Sequence, residues 1–223
     1  MSGLPVRRFR SRVLGHRELA PQAFELTLER HDLEFRAGQL VMIHGRSVFE
    51  DRSYSVASGE ADPHLVLLYR LIPHGLLTPQ LARLAPGDTV DLSGPYGTFT
   101  LREPSRPALF VATGTGIAPG RSFRRTYPDL DLRVVHGCRT RADLFYRDEW
   151  PPESLTACLS RDPDAPGAFA GRVTDWFAAR PADPALPVYL CGANAMILDV
   201  RALLTRAGTD ASCIFTEPYY YRA

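Results

Sequence analysis

Arg52-Ser53-Tyr54-Ser55 places a guanidinium, a phenol ring and two hydroxyls on one short extended segment, between the acidic pair Glu50-Asp51 and the apolar step Val56-Ala57. A guanidinium fork matches phosphate oxygens, and a phenol offers a stacking face with a polar tip. With a hydroxyl to meet a ring nitrogen, the set suits a phosphate joined to a flat heteroaromatic ring, the outline of a flavin. Tyr and Ser alternating on a half-exposed strand produce the same letters with no ligand at all. The tetrapeptide therefore needs support from the rest of the chain.

Two glycine-bearing segments supply it. His74-Gly75-Leu76-Leu77-Thr78 precedes a short helical stretch from Pro79 to Leu84, where Thr78 suits the N-cap and Pro79 the first helical position. Gly75 lets backbone come close, and the free N–H groups of a helix start suit a diphosphate. The second segment, Thr113-Gly114-Thr115-Gly116-Ile117-Ala118-Pro119-Gly120, follows an apolar run and leads into a helix. Its amides can also meet a diphosphate. The spacing is not G-x-G-x-x-G, which would need glycine at position 119, nor a P-loop, which would need lysine.

Composition removes several chemistries. All 26 basic residues are arginine, so no Schiff-base lysine, pyridoxal-phosphate attachment or P-loop lysine exists. Cys138, Cys158, Cys191 and Cys213 form no C-x-x-C pair and the histidines no H-x-x-x-H pair. No metal site is expected, and any iron–sulfur chemistry would come from a partner. A formal charge of +1 argues against nucleic acid. Arg7, Arg8, Arg10 and Arg12 are followed by no apolar signal region, and no apolar run reaches the roughly 18 residues of a membrane span. The expectation is a soluble cytoplasmic protein with reduced thiols and no membrane partner, a monomer in preference to an oligomer.

Two kinds of element must position these groups. From Val6 to about Leu101, β-rich runs at 9–14, 23–29, 40–44, 53–57, 65–71 and 89–92 are separated by turn residues such as Gly38, Gly45, Gly59, Pro63, Gly87 and Gly94. Many short strands of this kind read as an antiparallel barrel. Arg8, Arg10 and Arg12 share one face of the first run, a solvated strand face in preference to a docking patch for an acidic protein. Arg102-Glu103-Pro104-Ser105-Arg106-Pro107 then breaks the pattern. Beyond it, apolar runs at 108–112, 132–136, 155–159, 188–191 and 212–215 alternate with helical patterns. One of these helices carries Met196, Ile197, Val200, Leu203, Leu204 and Ala207, with Gly208 to stop it. Such alternation means a parallel sheet covered on both faces. The expected fold class is β + α/β: an antiparallel β-barrel over 1–103, then an α/β parallel-sheet nucleotide-binding domain over 104–223.

The motifs Arg52-Ser53-Tyr54-Ser55, Gly75-Leu76-Leu77-Thr78, Gly94-Pro95-Tyr96-Gly97, Ala112 to Pro119 and Cys191-Gly192 occur in this order. The series resembles the ferredoxin–NADP(H) reductase family, a flavin barrel followed by a nucleotide domain, over nearly the whole chain. The resemblance implies FAD and NADP(H) as cofactors. Arg52 would contact the FAD diphosphate, Tyr54 would lie against the isoalloxazine and Ser55 would bond near N5. Ser53 belongs to the same motif, and Leu76, Leu77 and Thr78 would hold the diphosphate from the other side. In the second domain Thr113, Gly114, Thr115 and Gly116, with Cys191 and Gly192, would meet the nicotinamide and its diphosphate, Cys191 near the hydride-donating carbon. Arg139, Arg161 and Arg172 match the family's contacts to the 2′-phosphate. NAD sites instead place a carboxylate after the second strand, whereas this strand ends His136-Gly137-Cys138-Arg139. Glu217 would be the acid beside the reacting centre and Tyr220 the aromatic cover of the flavin. Gly120 stands where the family has a bulkier residue, which implies a softer loop or a wider crevice.

The function implied is an FAD-dependent NADPH reductase passing electrons singly to a carrier such as ferredoxin or flavodoxin. Two alternatives are a reductase component of an oxygenase system, with NADH or NADPH as donor, and a flavin- and nucleotide-binding regulatory module without turnover.

Overall fold

The computed structural model describes residues 4–45 and 47–219, and Tyr220 lies outside them. The chain divides into two compact units, Met1–Arg102 with Arg121–Thr126, and Glu103–Gly120 with Tyr127–Ala223.

The first unit holds β1 (Arg7–Ala20), β2 (Ala23–Glu29), β3 (Leu40–His44), β4 (Arg52–Ser55), β5 (His64–Arg70), the short helix α1 (Thr78–Leu81) and β6 (Thr89–Tyr96). The strands are antiparallel in the order β4-β3-β6-β1-β2-β5. A bridge from Val56 to Leu67 joins the two end strands, with Ala57 N–H donating to Val66 O at 2.8 Å, so the sheet closes. Closure removes the edges that would otherwise leave backbone groups unpaired. Strand alternation sends Ser11 and Val13 inward at 0 % and 1 % exposure, while the arginines of that strand face out. Of Arg8, Arg10 and Arg12, two are paired within the barrel, Arg10 with Asp91 at 3.1 Å and Arg12 with Glu29 at 3.7 Å, and the face is exposed.

Leu26, Leu28, Val41, Ile43, Leu65, Leu67 and Leu92 fill the barrel. The grouping of Arg121–Thr126 with this unit has local causes. Arg121 donates to Ala57 O at 3.1 Å, Ser122 Oγ to Ser58 O at 2.7 Å, and Arg125 holds Asp62 at 2.6 Å.

Beyond β6 the chain forms β7 (Ala108–Thr113), α2 (Ala118–Thr126), β8 (Leu132–Cys138), β9 (Leu155–Leu159), β10 (Phe169–Ala170), α3 (Val173–Ala179), β11 (Val188–Ala193), α4 (Asn194–Arg206) and β12 (Ile214–Tyr219). All six strands are parallel, in the order β10-β9-β8-β7-β11-β12. β7 through β10 build in one direction and β11 and β12 in the other, so the order reverses between β7 and β11. In open parallel sheets, ligands bind beyond the strand C-termini at such a reversal.

Candidate functional site

The barrel's candidate residues gather around β4. Pairing with β3 sets Arg52 opposite Ile43 and Ser55 opposite Leu40. Alternation then places Arg52 and Tyr54 on one face and Ser53 and Ser55 on the other. Tyr54 is half-buried against the core and meets Tyr69 edge-on, ring centres 6.3 Å apart. Ser55 ends the strand at 4 % exposure. Arg52 is exposed and bends back on its own loop, its Nη1 donating to Phe49 O at 2.9 Å and Asp51 O at 2.7 Å.

The loop ahead of α1 departs from expectation in its cap. Thr78 opens the helix without capping it. Its hydroxyl instead takes the Ile72 N–H at 2.9 Å and donates to Ile72 O at 3.2 Å, tying the loop across its base. The helix is four residues long and ends at Leu81, where Leu84 was expected. So short a helix has little dipole, and the loop's offer to a phosphate is its amides. The N–H groups of Leu76, Leu77 and Thr78 meet no acceptor among the described residues. Three such donors, with an exposed guanidinium on the same barrel, suit an anionic diphosphate.

A network behind Arg52 carries no signal in the sequence. His44 Nδ1 lies 2.8 Å from Asp51 Oδ2 and its Nε2 2.8 Å from Ser93 Oγ, which also accepts Tyr96 OH at 2.9 Å. The His44 bond holds the Asp51 carboxyl below its ordinary pKa, helped by the Gly45 amide. Ser93 is 4 % exposed, so this Asp–His–Ser chain stiffens the root of the Arg52 loop and has no accessible nucleophile. Its members are 42 residues apart between Asp51 and Ser93 in the chain, and only the barrel brings them together.

In the second unit, the turn Thr113 to Gly116 sits on Cys191-Gly192 at the sheet's reversal. Thr113 Oγ1 accepts the Ala193 N–H at 3.0 Å. A Cβ on Gly116 would meet Cys191 O at 2.5 Å, and one on Gly192, whose φ is +126°, would collide with Thr113. Both glycines are required by close backbone contact. His136 on β8 was missed as a participant. It is 1 % exposed and bonds Gly114 O at 2.9 Å through Nε2. Burial pushes its pKa down to about 4, so the imidazole is neutral at physiological pH and donates its one Nε2 proton to that carbonyl.

Cys191 is wholly buried, and burial raises its thiol pKa far above the ordinary value, with Glu217 adding to the rise and a hydrogen bond from Tyr219 opposing it. The thiol is therefore protonated. Its parallel neighbour across the ladder is Glu217, whose carboxyl burial also holds above its usual pKa.

Arg139 follows β8, Arg161 follows β9 and Arg172 follows β10, along the same C-terminal edge. Arg161 N–H donates to Arg139 O at 2.8 Å, which brings the two residues side by side. All three side chains are exposed and none forms an ion pair among the described residues. Gly120 lies within α2 and not in a loop, and no open volume stands at its Cα, because a Cβ there would meet the Phe110 ring at 2.7 Å. Phe110, 0 % exposed, already fills that volume.

Two family models match the chain: an oxidoreductase FAD-binding domain over residues 15–101 and an oxidoreductase NAD-binding domain over 110–202. A ferredoxin–NADP reductase B of Sorangium cellulosum is 35 % identical, over 87 % of this chain and 90 % of its own length. The reductase component of a propane 2-monooxygenase from Rhodococcus jostii is 34 % identical over 98 % of this chain, which spans 65 % of that relative. A toluate 1,2-dioxygenase electron transfer component from Pseudomonas putida is likewise spanned over only 65 % of its length. Among solved structures, a cytochrome P450 reductase from Amycolatopsis superposes with TM-score 0.86 at 29 % identity, covering 96 % of this chain and 70 % of its own. A ferredoxin NADP+ reductase from Neisseria gonorrhoeae, with bound FAD and NADP, gives 0.84 at 20 % identity over 96 % of this chain and 99 % of that one, a likeness of fold.

Proposed function

Because the chain belongs to the ferredoxin–NADP(H) reductase family, we propose that it is an FAD-dependent reductase that oxidises NADPH and passes electrons singly to a protein carrier of the ferredoxin or flavodoxin type. FAD, when bound, supplies the conversion between two-electron and one-electron chemistry. The chain's own residues bind and orient. Arg52 and the orphan amides of Leu76, Leu77 and Thr78 grip the diphosphate, Tyr54 flanks the ring and Ser55 bonds near N5. The Thr113–Gly116 turn and Gly192 let backbone approach the second nucleotide at the sheet's reversal. Cys191 and Glu217 border the position of the nicotinamide, and Cys191 contributes shape and a neutral surface, since its thiol is protonated. Tyr219, hydrogen-bonded to Cys191, must move for a nicotinamide to reach that thiol. Tyr220 is the candidate cover.

The observation that carries the nucleotide assignment is the row of three exposed arginines along one sheet edge, none of them in an ion pair among the described residues. A 2′-phosphate brings about two negative charges to that edge, and guanidinium forks are its natural partners. Arg139→Ala is expected to lower kcat/KM for NADPH by about tenfold, one charge-assisted hydrogen bond, and to leave NADH unchanged. The ratio of the two kcat/KM values is the measurement. An unchanged ratio removes Arg139 from the site.

The similarity to oxygenase reductase components favours a second reading, in which the same chemistry feeds an oxygenase with NADH as donor. A wild-type preference for NADH would select it.

A further inference from the structure

We propose that Phe49 is the stacking platform for the adenine ring of the dinucleotide held by the barrel, and so the residue by which the site selects FAD over FMN. The proposal rests on the flavin assignment above. Phe49 is 80 % exposed, more than any other large apolar side chain among the described residues. The residues that follow it are tied to Gly45. Asp51 Oδ1 accepts the Gly45 N–H at 3.1 Å, and Glu50 packs so tightly on Gly45 that a Cβ there would collide with it. Glu50 Oε2 accepts from Gln80 Nε2 at 2.6 Å, and the same Nε2 donates to Leu76 O at 2.8 Å. One side chain thus fastens the Phe49 segment to the loop that carries the orphan amides.

Arg52 completes the cluster, since its guanidinium donates to the carbonyl of Phe49 itself at 2.9 Å. A phosphate-gripping cation, free amides and a displayed ring are joined by hydrogen bonds within one part of the barrel. FMN ends at its phosphate, whereas FAD continues from the diphosphate into an adenosine. A ring beside the diphosphate grip has the adenine to meet, and Leu76, 54 % exposed, adds a second apolar surface to the same cluster. Aromatic rings take any base by its π-face.

The test is a titration of apoprotein with FAD and with FMN, for wild type, Phe49→Ala and Phe49→Trp. Phe49→Ala is expected to weaken FAD about tenfold, about 1.4 kcal/mol of lost stacking, and to leave FMN within about twofold. Phe49→Trp keeps a stacking face and should hold FAD near wild-type affinity. If alanine leaves both affinities unchanged, or weakens both equally, Phe49 is not the platform. Wild-type protein that takes up neither flavin overturns the flavin assignment itself, a separate result.

Discussion

Arg52→Ala is expected to yield a folded protein that no longer retains FAD. The side chain is exposed, and its described bonds run to two carbonyls of its own loop, Phe49 O and Asp51 O. Removing it takes nothing from the barrel core. Bound to a diphosphate, the guanidinium would make two charge-assisted bonds worth about 1.5–3 kcal/mol each. Their loss raises the dissociation constant for FAD by about a hundredfold or more. Ser55→Ala separates the roles. It should keep FAD within about twofold and slow reduction by NADPH by about tenfold, the worth of one hydrogen bond. Fluorescence titration and rapid mixing read the two effects. Equal affinities and equal rates in both variants would put the flavin elsewhere.

Gly116→Ala is expected to damage the nucleotide domain and spare the flavin. The new Cβ would lie 2.5 Å from Cys191 O and 2.8 Å from its carbonyl carbon. Those are backbone atoms of a central parallel strand, and β11 is bonded on both sides, to β7 and to β12. The turn must lift, which costs about 1–3 kcal/mol, as overpacking does. For a chain of this size that is a fall in Tm of about 2–12 °C. On the proposed function, the lifted turn would also withdraw its amides from the diphosphate. KM for NADPH should rise at least about tenfold, since a displacement of about 1 Å can cost more than that. The visible spectrum of bound flavin should stay as in wild type. An unchanged KM would show that the turn does not hold the nucleotide.

Most strand positions were legible because alternation and turn residues mark them, but β6 runs on from 92 to Tyr96 and β12 lies at Ile214–Tyr219, not 212–215. β2 and β3 run Ala23–Glu29 and Leu40–His44, as their apolar spacing and flanking turns indicate. The apolar rhythm of β1 ends at residue 14, yet the strand continues to Ala20. A register shift between Val13 and Gly15 lets one strand keep its pairing after the apolar rhythm fails. β10 has two residues, too few to show any period. At the candidate site, Gly116 and Gly192 were legible as types because close backbone contact demands glycine there, and the arginines were legible by their places after the strands. What they touch was not. Thr78 looks like a cap until Ile72 is seen across the loop, and Gly120 looks like a gap until Phe110 is seen to fill it. His136 bonding Gly114 and the chain Asp51–His44–Ser93 join residues from different strands, and no local pattern announces such pairs.

The central claim is most directly tested by mixing the protein with NADPH in the absence of oxygen, after reconstitution with FAD and removal of the excess. The protein should be yellow, and its visible flavin bands should bleach with NADPH, more efficiently than with NADH. A colourless protein, or a yellow one whose bands NADPH leaves unchanged, would contradict it.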